Sequence, residues 1–280
     1  MGCQKKNMFK TISRECDLQA LKDAIVSQGL EEAIATQDPI TVFGPTNKAF
    51  KKFEGCDQVE DLTQLLLYHV VPKYLKSSDF TEENQKYKTL FNDKEVRVNV
   101  YSSPTFNDVI TVNGSIVVEA DIKATNGVLH KIKRVLCPPA GNVAEIAASN
   151  PDFSTLVEAL VKAGLVEAVA TTDPITVFAP TNQAFQDLFN ELGITKEELL
   201  DLPNLADILL YHVLGQAVFS PAIKCGKTRD IPTLNGKTID LKRCNNICIR
   251  DKKNRLSKVI LPDILAKNGV IHAIDKVLLP

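Results

Sequence analysis

The 280-residue chain contains no Trp and only 5 Tyr, and its aromatic content is 6%. Stacking platforms for single-stranded nucleic acid are therefore scarce. An excess of one charge is missing too. Lys and Arg number 33 against 34 Asp and Glu, for a net charge of -1. A nucleic-acid protein would usually carry a basic surplus, so no nucleic-acid partner is expected. No run approaches the roughly 20 apolar residues of a membrane helix, and clusters such as Leu65-Leu66-Leu67 are short. The opening Met1-Gly2-Cys3-Gln4-Lys5-Lys6 is positive, but no apolar region follows, so it does not read as a signal peptide. Lys6 stands where an N-myristoylation signal wants Ser or Thr. On these grounds the chain is either cytoplasmic or one from which a signal has been removed. The seven cysteines include no Cys-x-x-Cys, which removes the zinc-knuckle and thioredoxin-like readings. Dinucleotide and phosphate loops, His-Glu-x-x-His, the nucleophile elbow and the calcium loop are missing as well. No enzyme activity and no cofactor is expected.

What the chain does have is a repeat. Asp38-Pro39-Ile40-Thr41-Val42-Phe43-Gly44-Pro45-Thr46-Asn47-Lys48-Ala49-Phe50 returns as Asp173-Pro174-Ile175-Thr176-Val177-Phe178-Ala179-Pro180-Thr181-Asn182-Gln183-Ala184-Phe185. Leu66-Leu67-Tyr68-His69-Val70 returns as Leu209-Leu210-Tyr211-His212-Val213. Asn126-Gly127-Val128-Leu129-His130-Lys131-Ile132 returns as Asn268-Gly269-Val270-Ile271-His272-Ala273-Ile274. Three blocks in the same order describe a duplicated domain of roughly 140 residues rather than a solenoid. We place an N-terminal tail over residues 1–11, the first domain over 12–137, a stiff Pro-Pro-Ala-Gly linker over 138–141 and the second domain over 142–280.

Each repeat opens with apolar residues at helical offsets, as in Leu18, Leu21 and Ile25, or Val143, Ile146 and Ala147. Ile40 to Phe43 and Ile175 to Phe178 read as short buried strands, and Leu62 to Val70 and Leu202 to Val213 as helices. Thr46 and Thr181 are natural N-caps for the Asn-x-Ala-Phe turn that follows each Pro. Alternation over Val96 to Val100, and Asn113-Gly114 between two β-rich runs, predict antiparallel strands and a hairpin. Lys131 to Leu136 and Ala273 to Leu279 read as closing strands. Helices first and hairpins later argue an α+β fold, not a doubly wound sheet.

The residue types that carry chemistry all fall inside the repeat. His69 and His212 follow a Tyr, and His130 and His272 follow the Asn-Gly block. Two His per repeat, far apart in sequence, do not make a metal set. The simpler reading is a partly buried Tyr68-His69 and Tyr211-His212 pair tied in by hydrogen bonds. Thr46-Asn47 and Thr181-Asn182 bond locally and hold a strand-to-helix corner. Asn113-Gly114-Ser115 fits the glycosylation pattern at a hairpin tip, although a turn already explains it. Cys225, Cys244 and Cys248 cluster in one elaborated stretch; if the chain is extracellular, a disulfide among them is expected, with Cys3 left unpaired.

The order Thr-Val-Phe-Ala-Pro-Thr-Asn-x-Ala-Phe, Leu-x-Tyr-His-Val and Asn-Gly-Val-x-His-x-Ile-Asp-x-Val-Leu resembles the fasciclin-type adhesion domain, met twice. Gly44 and Lys133 are mild departures from it. The resemblance implies two tandem modules, each a small β-sandwich packed with helices. It also implies a secreted or extracellular protein acting in adhesion, with a cell-surface receptor such as an integrin, a matrix protein or a glycan as partner. Some members of that family use an aspartate-containing segment just before the Asn-Gly-Val block, together with the Tyr-His region, in integrin-dependent adhesion. The matching segment is Leu261-Pro262-Asp263-Ile264-Leu265, with Pro262, Asp263 and Ile264 as the contact candidates together with Tyr211 and His212. The first repeat has Ala120-Asp121-Ile122 and lacks the Pro. Asp263 is thus a contact candidate, while its match in Asp121 leaves a purely scaffolding role open. A few members of similar architecture bind carotenoid, which keeps a hydrophobic small-molecule carrier as the alternative.

Overall fold

The structure is a computed structural model that describes residues 6–81, 83–92, 94–102, 109–226, 230–243 and 245–280. It divides into two compact units, one ending at Pro138 and the other opening at Pro139. The first contains helices α1 (Met8–Ile12), α2 (Gln19–Ser27) and α3 (Glu31–Thr36), strand β1 (Ile40–Pro45), helices α4 (Asn47–Lys51) and α5 (Leu62–Tyr68), and strands β2 (Val70–Val71), β3 (Gln85–Lys88), β4 (Glu95–Tyr101), β5 (Val109–Val112), β6 (Ser115–Ala124) and β7 (Gly127–Ile132). The second repeats the plan. Helices α6 (Val143–Ser149), α7 (Ser154–Lys162) and α8 (Val166–Thr171) precede β8 (Ile175–Pro180). Then come α9 (Asn182–Leu192), α10 (Lys196–Leu200), α11 (Leu205–Leu210), β9 (Val213–Leu214), β10 (Asp230–Pro232), β11 (Thr238–Arg243), β12 (Ile247–Arg250), β13 (Leu256–Ala266) and β14 (Gly269–Ile274).

Each unit is an α+β fold built on a seven-stranded mixed sheet, ordered β2-β1-β7-β6-β5-β4-β3 and β10-β11-β12-β13-β14-β8-β9. The central pairs β1–β7 and β8–β14 are parallel, and the remaining pairings are antiparallel. Parallel strands are usually covered on both faces, and β1 and β8 are buried along their whole length. In the first unit Ile40 and Val42 face the helices with Met8, Ile12, Leu21 and Ile25. Phe43 and Ile132 face the other way and pack against Val96, Val98 and Val112 of the outer strands, which is the sandwich layer.

Two sequence expectations change here. The tail assigned to residues 1–11 is part of the fold from α1 onward: Met8 and Ile12 are fully buried, and Asn7 caps the helix through Lys10 N–H. The closing strands end at Ile132 and Ile274, short of the expected Leu136 and Leu279. The residues beyond them leave the sheet and supply backbone N–H groups to buried side chains.

The Asn-Gly block explains the central pairing. A Cβ on Gly127 would lie 1.9 Å from the Ile40 carbonyl oxygen, and one on Gly269 would lie 1.9 Å from that of Ile175. Only glycine lets the parallel strands approach at that point. Asn126 beside it accepts from Met8 N–H (2.8 Å) and donates to the Ile34 and Gln37 carbonyls (3.0 and 2.7 Å). Asn268 repeats the arrangement with Val143, Val169 and Thr172. The Asn of the repeated Asn-Gly block is therefore the knot that ties the N-terminal helices to the sheet.

Candidate partner-binding surface

The histidines define the scaffold around the site. His69 is buried; its Nδ1 donates to the Leu65 carbonyl (2.8 Å) and its Nε2 accepts from Leu136 N–H (2.8 Å). His212 does the same with Ile208 and Leu278, each at 2.8 Å. A carbonyl on one nitrogen and an N–H on the other fix a neutral ring. Burial lowers both pKa values to about 4. His130 and His272 use the opposite tautomer. Their Nε2 donates to the Leu75 and Val218 carbonyls (2.9 and 2.8 Å), and their Nδ1 accepts from Asp121 and Asp263 N–H (3.3 and 3.1 Å). Burial lowers these pKa values as well. With both ring nitrogens of all four histidines engaged, none offers a lone pair to a metal. Among the described residues there is no cluster of three or more His, Cys, Asp or Glu suited to a metal ion.

The tyrosines complete the frame. Tyr68 and Tyr211 are fully buried. Tyr68 donates to the Glu95 carbonyl (2.8 Å) and accepts from Asn113 Nδ2 (2.8 Å). Tyr211 donates to the Thr238 carbonyl (2.9 Å) and accepts from Lys252 N–H (3.0 Å). Burial pushes the Tyr211 hydroxyl up to about 12. Tyr211 and His212 therefore lie beneath the surface, and the structure removes both from the set of residues able to touch a partner. Asn113 is corrected in the same way. Its Oδ1 accepts from Arg97 N–H (2.8 Å), its Nδ2 is held by Tyr68, and Ser115 is buried. The glycosylation pattern is spent on the hairpin. Thr46 and Thr181 cap α4 and α9, and Asn47 and Asn182 bind the starts of α2 and α7 through Ala20 N–H and Thr155 N–H.

The remaining candidates sit on a bulge. The register of β13 against β14 shifts between Val259 and Leu261 and again between Leu261 and Ile264. Extra residues in one strand bend it and leave positions unpaired. Asp263 adopts a left-handed backbone, φ 62°, and so does Asp121, φ 62°. Asp tolerates this conformation better than most residues. Its carboxylate is directed inward: Oδ1 accepts from Ser220 N–H (2.7 Å) and Oδ2 from the Ser220 hydroxyl (2.6 Å). Asp121 makes the same pair of bonds to Ser77, at 2.8 and 2.5 Å. The aspartate thus holds the bulge, while the residues before it face solvent. Ile260 is 55% and Leu261 53% exposed, Pro262 is exposed, and Ile264 is half-buried against the core of the second unit.

Sequence reasoning took Leu261 only as the first residue of the matching segment and passed over Ile260. The strand register explains why they stand open. Leu261 pairs with Ala273, whose methyl group cannot cover it. In the first unit the corresponding Glu119 pairs with Lys131. There the Lys131 ammonium, buried in the fold, meets Glu15 (2.6 Å), Asp17 (2.9 Å) and Glu119 (2.9 Å). Burial works against its charge, and the three carboxylates outweigh burial and hold its pKa above the ordinary value.

The cysteine cluster is only partly visible. Cys3 and Cys244 lie outside the described residues, and Cys16, Cys56, Cys137, Cys225 and Cys248 are free thiols.

The duplicated Asn, Tyr-His and Asp-His linkages define a paired module with one shared scaffold, and comparison with known proteins gives its family. The Fasciclin domain family model matches residues 17–138 and 151–280, and the chain belongs to that family. It is 32% identical over 276 residues to transforming growth factor-beta-induced protein ig-h3 of Sus scrofa, covering 98% of this chain and 38% of that protein. It is 29% identical over 258 residues to human periostin, covering 90% and 29%. Protein sll1483 of Synechocystis is 39% identical over 145 residues, half of this chain. A solved FAS1 domain pair from the insect cell adhesion molecule Fasciclin I aligns over 94% of this chain with a TM-score of 0.47 and 20% identity. The chain spans well under half the length of ig-h3 and periostin. Fasciclin domains are in general adhesion and matrix-interaction modules. No helix among the described residues is long and apolar enough to cross a membrane.

Proposed function

We propose that this chain is an extracellular adhesion module and that its second unit carries the contact surface, the ridge Ile260-Leu261-Pro262. One observation carries the reading: two large apolar residues adjacent in sequence, each more than half exposed, lie on a bulge that the Asp263 hydrogen bonds hold in place. Rigid support lowers the ordering cost of binding, and Pro262 restricts the backbone further. Asp263 is a positioning residue here, and Ile264 anchors the strand below the ridge. An apolar ridge favours a protein partner, a cell-surface receptor of integrin type or a matrix protein, over a glycan.

The test coats a surface with the whole chain and measures animal-cell adhesion together with thermal stability. Replacing Leu261 with Glu, the residue at the matching place in the first unit, should reduce adhesion at least fivefold and leave the melting temperature unchanged. Full adhesion by the folded variant would remove the ridge from the account.

The carrier alternative has one observation in its favour. An open groove of about 580 Å3 in the first unit is lined by Val100, Tyr101, Ile110, Val117 and Val118 among others. The cavity enclosed in the core of the second unit has about 10 Å3, room for one water at most. A visible absorption band in the purified protein would favour the carrier.

A further inference from the structure

Cys56 and Cys137 take no part in the scaffold described above. Cys56 lies in the coil joining α4 to α5, and Cys137 lies in the segment that closes the first unit after β7. The structure brings their side chains together. Cys137 Sγ donates to the Gly55 carbonyl at 3.9 Å, the peptide group that precedes Cys56, and the two thiols lie close enough to influence each other's ionisation. Both are half-buried, so small reagents can reach them. Both also lie near enough to the buried Tyr68 hydroxyl to oppose its ionisation.

The second unit shows what is joined at this place. There α9 runs for 11 residues, stops at Gly193 in the left-handed conformation (φ 66°), and is followed by α10 with Leu199 buried. The end of α9 is tied to the closing segment by Arg255. Its guanidinium donates to Glu191 (2.8 Å) and to the Val277 carbonyl (3.0 Å). In the first unit α4 has only 5 residues, and coil follows where α9 continues in the second. The two thiols join that coil to the closing segment, where Leu136 supplies its N–H to His69.

We propose that Cys56 and Cys137 form a redox site, a dithiol that closes to a disulfide within the first unit by exchange with a small-molecule disulfide of the glutathione type. The Cys56 thiolate attacks one sulfur of the reagent, a mixed disulfide forms, and one glutathione thiolate leaves. Cys137 then loses its proton to solvent and attacks the Cys56 sulfur, and the second glutathione leaves. Two protein thiols are oxidised, and one glutathione disulfide is reduced to two thiols. Burial pushes the Cys137 thiol up, which keeps it protonated and leaves the first attack to Cys56; its attack in the second step relies on being held beside the Cys56 sulfur. The closed form clamps the strand-to-helix coil onto the segment that completes the His69 hydrogen bonds.

The experiment incubates the whole chain with glutathione disulfide, alkylates the remaining thiols and digests without reduction. The expected product is a Cys56–Cys137 linked peptide, reversible by dithiothreitol. The melting temperature of the first unit should rise by about 5 °C or more, because the bridge closes a long loop. Cys56→Ser and Cys137→Ser should each abolish both the linked peptide and the rise. Two lasting glutathione adducts, two fully alkylatable thiols, or linkage of either cysteine to a different one would overturn the proposal. A linked peptide without any rise in melting temperature would overturn the clamp.

Discussion

In the first unit Glu119 folds onto Lys131 and the bulge is closed by charge; in the second, Leu261 faces Ala273 and stays open to solvent. The linkages beneath that difference are shared. The Asn knots, the glycine that admits the parallel strand, the neutral His pairs and the Asp-Ser clamps recur at matched positions. Duplication therefore separates two kinds of residue. Those kept in both units build the scaffold, and those that differ on top of it are free to specify a contact.

The largest expected effect tests whether the scaffold is shared. Gly127→Ala and Gly269→Ala each force a Cβ to within 1.9 Å of a backbone oxygen. Each should cost more than about 4 kcal/mol and unfold its own unit. Denaturant melts read unit by unit would show this, and a mild effect in only one unit would break the equivalence.

Acid should act on both units alike. His69 and His212 have pKa values lowered to about 4 by burial, against about 6.5 in an unfolded chain. The unfolded state therefore binds more protons between those values, so stability falls as pH drops. It is fully present above about pH 6.5 and is lost progressively down to about pH 4, by roughly 3 kcal/mol for each ring. Thermal melts across that range check the sign. His69→Gln and His212→Gln should flatten the dependence in one unit each.

A smaller effect sharpens the reading of the aspartates. Asp121→Ala and Asp263→Ala each remove two accepted hydrogen bonds and place Ala in a left-handed conformation. Each should cost about 3 kcal/mol, measured by chemical denaturation. A contact-only role for Asp263 would instead leave stability untouched in the second unit and not in the first.

Much of this was legible in the chain. The duplication, the α+β order, the Thr caps and the Asn113-Gly114 hairpin follow from short-range patterns whose physics is local. The scaffolding role of Tyr68-His69 and Tyr211-His212 was readable from context, but the resemblance also made Tyr211 and His212 candidates for partner contact, and burial decides against that. The parallel pairing of β1 with β7 was not legible, because it joins residues far apart and rests on a glycine that also reads as a turn. The exposure of the ridge was not legible for a related reason. Leu261 reads as another buried apolar residue until the register sets it opposite Ala273. Cys56 and Cys137 likewise meet only through tertiary structure, whereas Cys225, Cys244 and Cys248 cluster in the sequence itself.

The central claim is that the residue over the bulge, not the scaffold, decides which unit makes contact. Its most direct test measures cell adhesion and melting temperature side by side for the parent chain, Leu261→Glu and Glu119→Leu. The account predicts that Leu261→Glu loses adhesion at an unchanged melting temperature. It predicts that Glu119→Leu leaves adhesion at or above the parent level, because the second unit still presents its ridge. Adhesion that survives Leu261→Glu and falls with Glu119→Leu would place the contact on the first unit and contradict the account.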